Sequence, residues 1–424
     1  MPNFNYMKVL IRQTRIISSS SPFNGQIKDI LIIDGLIHTI ANDITDKADQ
    51  VIEEEGSCTS IGWMDLFADF ADPGYENRES LESGARAAAA GGFTDVLLIP
   101  NSCPVVDNKS QVEYITQRAR TLPVNIHPSG AVTKNAAGAE LCEMVDMRHS
   151  GAIAFGDGIR TIQDSGILLK ALQYVKIFDG TIIQLPDDHS IGSGGLINEG
   201  IISTQLGLPG KPSIAEELMV ARDINLTSYA ESKLHLTGVT TPKSLEYISR
   251  ARANGIKVTC SLTPYHLFFC DEDLQDYDTN LKVMPPLRSR MDMMALRQAL
   301  LDGEVDCIAS HHLPQDWDSK TCEFEYAKQG MIGLETMFAV LNTIGCTYTR
   351  FVEMQTVTAR KIFNLTLPEI KEGHQAVLTI FNPESAFVYD DQKILSKSRN
   401  TPFTGKTLKG RVIGIINGNN TVLN

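Results

Sequence analysis

No apolar run in the chain reaches the roughly 18 residues that a membrane-spanning helix needs, so the sequence predicts no membrane segment. The opening stretch, MPNFNYMKVLIRQTR, alternates like a strand and lacks the small-residue cleavage pattern of a secretory signal, which predicts a cytoplasmic protein. Its eight cysteines (Cys58, Cys103, Cys142, Cys260, Cys270, Cys307, Cys322 and Cys346) form no CxxC pair and no tight framework. Reduced, mostly buried thiols are the expectation. Basic residues are in deficit, 38 Lys and Arg against 51 Asp and Glu, and a net charge of -13 argues against a nucleic-acid groove. The GxxxxGK pattern is missing, so RAAAAGG at 86–92 reads as a helix packed closely through small side chains and not as a phosphate loop. The most telling absence lies at 63–74, WMDLFADFADPG, an apolar run breaking into an acidic turn closed by Pro73 and Gly74. It contains no histidine.

What is present suits a large α/β protein. The 424 residues are 42% hydrophobic and 21% charged, enough for one large barrel and a smaller appendage. Residues 8–17 and 29–40 are β-branched, are separated by a Ser-rich turn and predict an antiparallel hairpin. From Gly62 onward, eight short apolar runs alternate with helix-like segments. They lie at 62–67, 95–101, 125–132, 152–157, 181–187, 233–239, 257–264 and 306–312. Several intervening segments open on Ser, Thr or Pro and close on Gly. Eight such units predict a (β/α)8 TIM barrel over 61–370. Strand character at 376–383 and 411–418 predicts that residues 1–60 and 371–424 combine into one small β domain. The Gly-rich segment 191–210 follows the fifth strand and is expected to cover the barrel mouth.

In this architecture chemistry belongs at the carboxyl ends of the strands. A hydrolytic metal site there needs nitrogen and carboxylate donors converging from several strands, with one position left open for water. The strand ends read Phe67 and Asp69, then Asn101, Asp157, Leu185, Gly238, and His311 with His312. Leu185 and Gly238 offer no donor, and Phe67 would fill the space an ion and its water require. Asp187 and Asp188 are adjacent in an extended segment, point to opposite faces and read as an ordinary polar loop. His235 reads as a satisfied core histidine and His189 as part of a solvated cluster. Cys103 and the other thiols read as inert packing.

Several motifs stand in order along the chain: DLFADFADPG at 65–74, IPNSCPVVDN at 99–108, AFGDG at 154–158, QDSG at 163–166, INEGIIS at 197–203, AEELMVARD at 215–223, PPLRS at 285–289, GMIGLE at 330–335 and KSRNTPFTG at 397–405. On these motifs the chain resembles the dihydroorotases of the amidohydrolase superfamily over nearly its whole length. The resemblance implies an amidohydrolase-type barrel and a place in pyrimidine biosynthesis. Active members carry DxHxHxRxPG after the first strand, with two zinc-binding histidines and a carboxylate-binding arginine. Here those positions are Phe67, Asp69 and Ala71. The bridging ligand after strand four corresponds to Asp157, which can still coordinate. The next two histidine ligands correspond to Leu185 and Gly238, and the catalytic aspartate of DHAPH to His311, with Gln315 in place of that motif's last histidine. Of the substrate-binding positions Asn101 is kept, whereas the Asn expected before PPLR is Met284.

One metal ligand of six is thus unchanged. Zinc, the cofactor of active relatives, is expected to be absent, and hydrolysis with it, because the ligands hold the ion and the ion makes the nucleophile. The resemblance also implies a role: family members without the metal ligands act as noncatalytic subunits associated with aspartate transcarbamoylase. The leading expectation is therefore a homodimeric pseudoenzyme partner of that enzyme. Two alternatives stay open. Asp69, Asp157 and His311 could form a rearranged single-metal site of an active cyclic amidohydrolase, against which stands a pairing of Asp69 with His311 that would fill the old cavity. Asn101, with Arg288, could still bind a carboxylated pyrimidine without turning it over.

Overall fold

A computed structural model describes residues 7–424. Eight strands follow one another in chain order: Trp63–Ala68, Phe93–Leu98, Asn125–Gly130, Ala154–Phe155, Thr181–Gln184, Lys233–Thr237, Val258–Leu262 and Cys307–Ile308. Every neighbouring pair is parallel. A parallel bridge from Ala68 to His312 brings the last strand back to the first, and the Asp69 N–H donates to the His312 carbonyl at 2.8 Å. All eight apolar runs of the sequence are barrel strands.

Helices connect the strands over the outside. The helix Leu81–Ala90 shows why the alanine run stands there. Ser80 and Ser83 form a capping box at its start, and Ala87, Ala88 and Ala89 are fully buried. At its end a Cβ on Gly91 would fall 2.3 Å from the Leu334 carbonyl oxygen, so only glycine permits that approach.

The second sheet is made from both terminal segments. Lys8–Ile17 lies at its centre, antiparallel to Ile27–Ile33 and parallel to Gln50–Glu53 and Cys58–Ile61. Val377–Val388 then pairs antiparallel with Cys58–Ile61, followed by Thr407–Asn417 and Asn420–Leu423. One expectation needs correcting. Residues 29–40 are two strands, because Asp34 (φ 51°) and Gly35 (φ 73°) turn the chain left-handed between Ile33 and Leu36. The two sheets meet on Trp63, which is fully buried against Phe93, Phe338, Phe351 and Phe381 at centroid distances of 6.1, 5.0, 4.8 and 5.3 Å. Phe381 comes from the returning carboxyl-terminal strand, so this aromatic cluster fastens the barrel to the smaller sheet.

The segment 191–210 is more ordered than its composition predicts. Ile197–Asn198 pairs with Gly210–Lys211 around the short helix Ile201–Leu206. Lys211 Nζ binds Asp187 Oδ2 at 2.7 Å, which pins the segment beside the end of the fifth barrel strand. Asp187 is therefore a buried ion-pair partner on its loop and not an ordinary polar loop acid.

Candidate functional site

The barrel mouth is packed. Phe67 and His311, from the first and last strands, stack with ring centroids 4.2 Å apart and planes 23° from parallel. Leu185 and Gly238 stand against them. A Cβ on Gly238 would lie 2.8 Å from His311 Cε1 and 2.9 Å from Leu185 Cδ1. These four positions converge from separate strands as the resemblance implies, but they meet in van der Waals contact. Beside Phe67 remains a cavity of about 10 Å³ lined mostly by apolar and glycine positions, such as Leu97, Ile99, Gly156 and Ile183, with Ser129 as its one polar residue. That is about one water's worth of room.

The polar groups at the mouth are bonded within the protein, except His311 Nδ1, which is buried without a partner among the described residues. His311 Nε2 is 2.8 Å from Thr237 Oγ1, Thr237 Oγ1 accepts from Ser261 Oγ at 2.9 Å, and Ser261 Oγ is 3.1 Å from His235 Nε2. His235 Nδ1 completes the chain at Thr259 Oγ1, 2.9 Å away. Burial pushes both imidazoles down to about 3, the neighbouring His266 and His235 adding to the effect at His311 and Arg252 at His235. His235 is thus a satisfied core histidine, and both rings are neutral at physiological pH.

Asp157 turns toward the loop after the third strand. Its carboxylate accepts from the Val132 and Thr133 N–H groups at 2.9 Å each and from the Thr133 hydroxyl. Burial raises its pKa against those hydrogen bonds. Asn101 is spent on the same turn: Nδ2 donates to the Asp157 carbonyl at 3.0 Å and Oδ1 accepts from the Ile159 N–H at 2.9 Å. A Cβ on Gly158 would overlap that amide oxygen at 1.7 Å. Asn101 therefore braces the loop after the fourth strand.

Asp69 does not pair with His311. Its Oδ1 accepts from the Ala71 N–H at 2.7 Å, and its Oδ2 faces Arg78 Nη2 at 3.6 Å. Burial raises its pKa, and the Arg78 charge opposes that rise. The acid and the imidazole each have another partner. Arg288 is likewise committed. It is buried, donates to Thr240 Oγ1 at 2.8 Å and Asn198 Oδ1 at 3.2 Å, and faces Glu216 at 3.5 Å. Gln315 Nε2 donates to the Gln329 carbonyl at 2.9 Å.

Zinc does not fit this arrangement. Catalytic zinc takes three protein donors aimed at one point, whereas Asp69, Asp157 and His311 are turned to Arg78, Thr133 and Thr237. Among the described residues no three His, Cys, Asp or Glu side chains are grouped to hold an ion. The rearranged single-metal set is thus not brought together. The sequence reading did not single out Thr237, Ser261 or Arg78. The one signal for Thr237 was its place directly before the Gly238 that lacks a side chain. Of the thiols, Cys103 is exposed, against the expectation of packing, and Cys322 is partly so, while the other six are buried.

A closed parallel α/β barrel with a strand domain drawn from both termini, its strand ends converging on one mouth, is the amidohydrolase architecture. L-Hydantoinase from Arthrobacter aurescens superposes with a TM-score of 0.84 over 98% of this chain and 96% of that one at 22% identity. Dihydropyrimidinase from Brevibacillus agri superposes at 0.82 over 98% and 95% of the two chains, at 20% identity. In sequence, the dihydro-orotase-like family profile matches residues 59–244. The dihydroorotase of Syntrophus aciditrophicus is 38% identical over 414 residues, covering 96% of this chain and 97% of its own. That of Acetivibrio thermocellus is 38% identical over 418 residues, covering 97% and 98%. The chain belongs to the dihydroorotase-like family.

Proposed function

We propose that this protein is a dihydroorotase-like chain of pyrimidine biosynthesis that has given up hydrolysis and serves as a structural partner of aspartate transcarbamoylase. The observation that carries the reading is the occupied mouth. Phe67 lies on His311, and His311 with Leu185 fills the space that a side chain at 238 would use. Hydrolysis of a cyclic amide needs an activated water and a base beside the ring. Here the available imidazole is neutral, buried and bonded to a threonine hydroxyl.

The rest of the fold supports a scaffold role. The barrel and the strand domain are both present and internally bonded, which leaves an ordered exterior for a partner to dock on. Association with the transcarbamoylase rests on the family resemblance. The test has two parts. Protein purified without chelator should carry no stoichiometric zinc and should neither open nor close the dihydroorotate ring, with or without added zinc. A transcarbamoylase from the same cells should co-purify with it. Ring turnover well above a mock purification would end the first half of the reading, and failure to recover the transcarbamoylase would end the second.

A further inference from the structure

The loops that follow the seventh and eighth barrel strands are clasped together. Lys320 Nζ donates to the Thr279 carbonyl at 2.8 Å, and Thr279 Oγ1 donates back to the Lys320 carbonyl at 2.7 Å. Lys282 Nζ reaches across to the carbonyls of Phe324 and Glu325 at 2.7 and 2.9 Å. Both lysines are buried. Their positive ends are spent inside the clasp, and the outside of the same loops carries the opposite charge. Residues 271–278 hold five acids, of which Asp271 is buried against Asn198 and Glu272 pairs with Arg290, leaving Asp273, Asp276 and Asp278 outside; residues 316–328 hold four acids and two lysines, one of them the buried Lys320.

The same outer surface carries aromatic side chains. Trp317 is 75% exposed, Tyr326 79% and Tyr277 44%. Large aromatics left in water on ordered loops are the residue types that protein interfaces enrich. The clasp holds these loops in one arrangement, so little ordering cost remains to be met on docking. A second copy of this chain does not suit the face, because an isologous contact would set these carboxylates against themselves. Arginine suits both components, since it stacks on Trp and Tyr rings and pairs with carboxylates.

We propose that this acidic, aromatic face at the barrel mouth is a docking surface for a protein partner that presents an arginine- and lysine-bearing surface. The mouth then serves by its rim and not by its interior. The inference rests on the partner reading above and locates it.

The probe is aspartate transcarbamoylase purified from the same cells, with binding to the full-length protein followed by calorimetry. Trp317→Ala with Tyr326→Ala should weaken binding by about ten-fold or more, and so should Asp318→Lys with Glu323→Lys. Raising the salt should weaken the wild type and have less effect on the charge-reversed variant. Met291→Ala with Met294→Ala, exposed on a different helix, serves as the control and should bind like wild type. Wild-type affinity in both rim variants overturns the docking face while leaving the partnership standing.

If the transcarbamoylase does not bind at all, the partner reading fails, and the face is then judged by quantitative recovery from native cell extract. A protein with a basic surface that is lost from both rim variants, is retained by the control and rebinds as a purified component supports the face. Equal recoveries from all three proteins overturn it.

Discussion

A Cβ built on Gly238 comes within 2.8 Å of Cε1 of His311. The positions that correspond, by the family resemblance, to a histidine ligand and to the catalytic base share one space, so a side chain at one presses on the other.

Gly238→His should therefore fail as a repair. The backbone there is left-handed, with φ at +66°, and the new ring would press on His311 and Leu185. Left-handed strain and overpacking together predict a loss of about 2–5 kcal/mol. Denaturant titration should read this loss, and the variant should gain no zinc in elemental analysis.

Phe67→Ala tests the same packing from the opposite side. Removing a fully buried ring stacked on His311 should cost about 3–5 kcal/mol through lost burial and the cavity left behind. Opening space does not turn Asp157 or Asp69 toward it, so the variant is expected to show no hydrolysis. A measured loss below 1 kcal/mol would mean that the ring is not packed as described.

The buried histidines give a pH dependence of definite sign. His235 is held near 3 in the fold, against about 6.5 in the unfolded chain. Between those values the unfolded state binds the extra proton, so this contribution is complete above about pH 6.5 and is lost as pH falls toward 3. Buried acids such as Asp223, raised to about 6, act in the opposite direction over part of that range, so the readout is a difference. The stability advantage of wild type over His235→Gln should shrink by about 1–2 kcal/mol between pH 7 and pH 5. A constant gap would show that His235 titrates as freely in the fold as out of it.

Asn101→Ala separates a binding role from a bracing one. The amide joins the Asp157 carbonyl to the Ile159 N–H, and leaving those partners unmet should cost about 1–3 kcal/mol. Because Asn101 and Arg288 are both committed within the protein, dihydroorotate, orotate and carbamoyl aspartate should not raise the melting midpoint of the wild type. A ligand-dependent rise that disappears in Asn101→Ala would reinstate the sensor reading.

The sequence carried the fold well because the barrel is written in local signals. Each strand is a short apolar run, and capping residues such as Ser80 and Thr241 mark where helices begin. The turn at Asp34 and Gly35 was also legible as an Asp-Gly pair between apolar runs, but the β-branched residues around it read as one strand. The site divides in the same way. That Phe67, Leu185, Gly238 and His311 share one mouth follows from strand order. Which partner each polar group would choose does not, since Thr237 and Thr133 meet His311 and Asp157 only through packing across strands, and Arg78 meets Asp69 only through the folding of the loop they share. The pairing of Asp69 with His311 that the sequence left open does not form: Asp69 faces Arg78 and His311 bonds to Thr237.

The cluster around Trp63 ties its formation to the order of synthesis. The Trp63 N–H meets the hydroxyl of Thr379, a residue 316 positions later in the chain, and Cys58–Ile61 has Val377–Val388 as its neighbour in the sheet. On the ribosome the early strands must therefore wait, with one edge unpaired, until almost the entire barrel has been made. A release factor or chaperone acting late in translation would meet a chain whose first-made sheet is the last part to close.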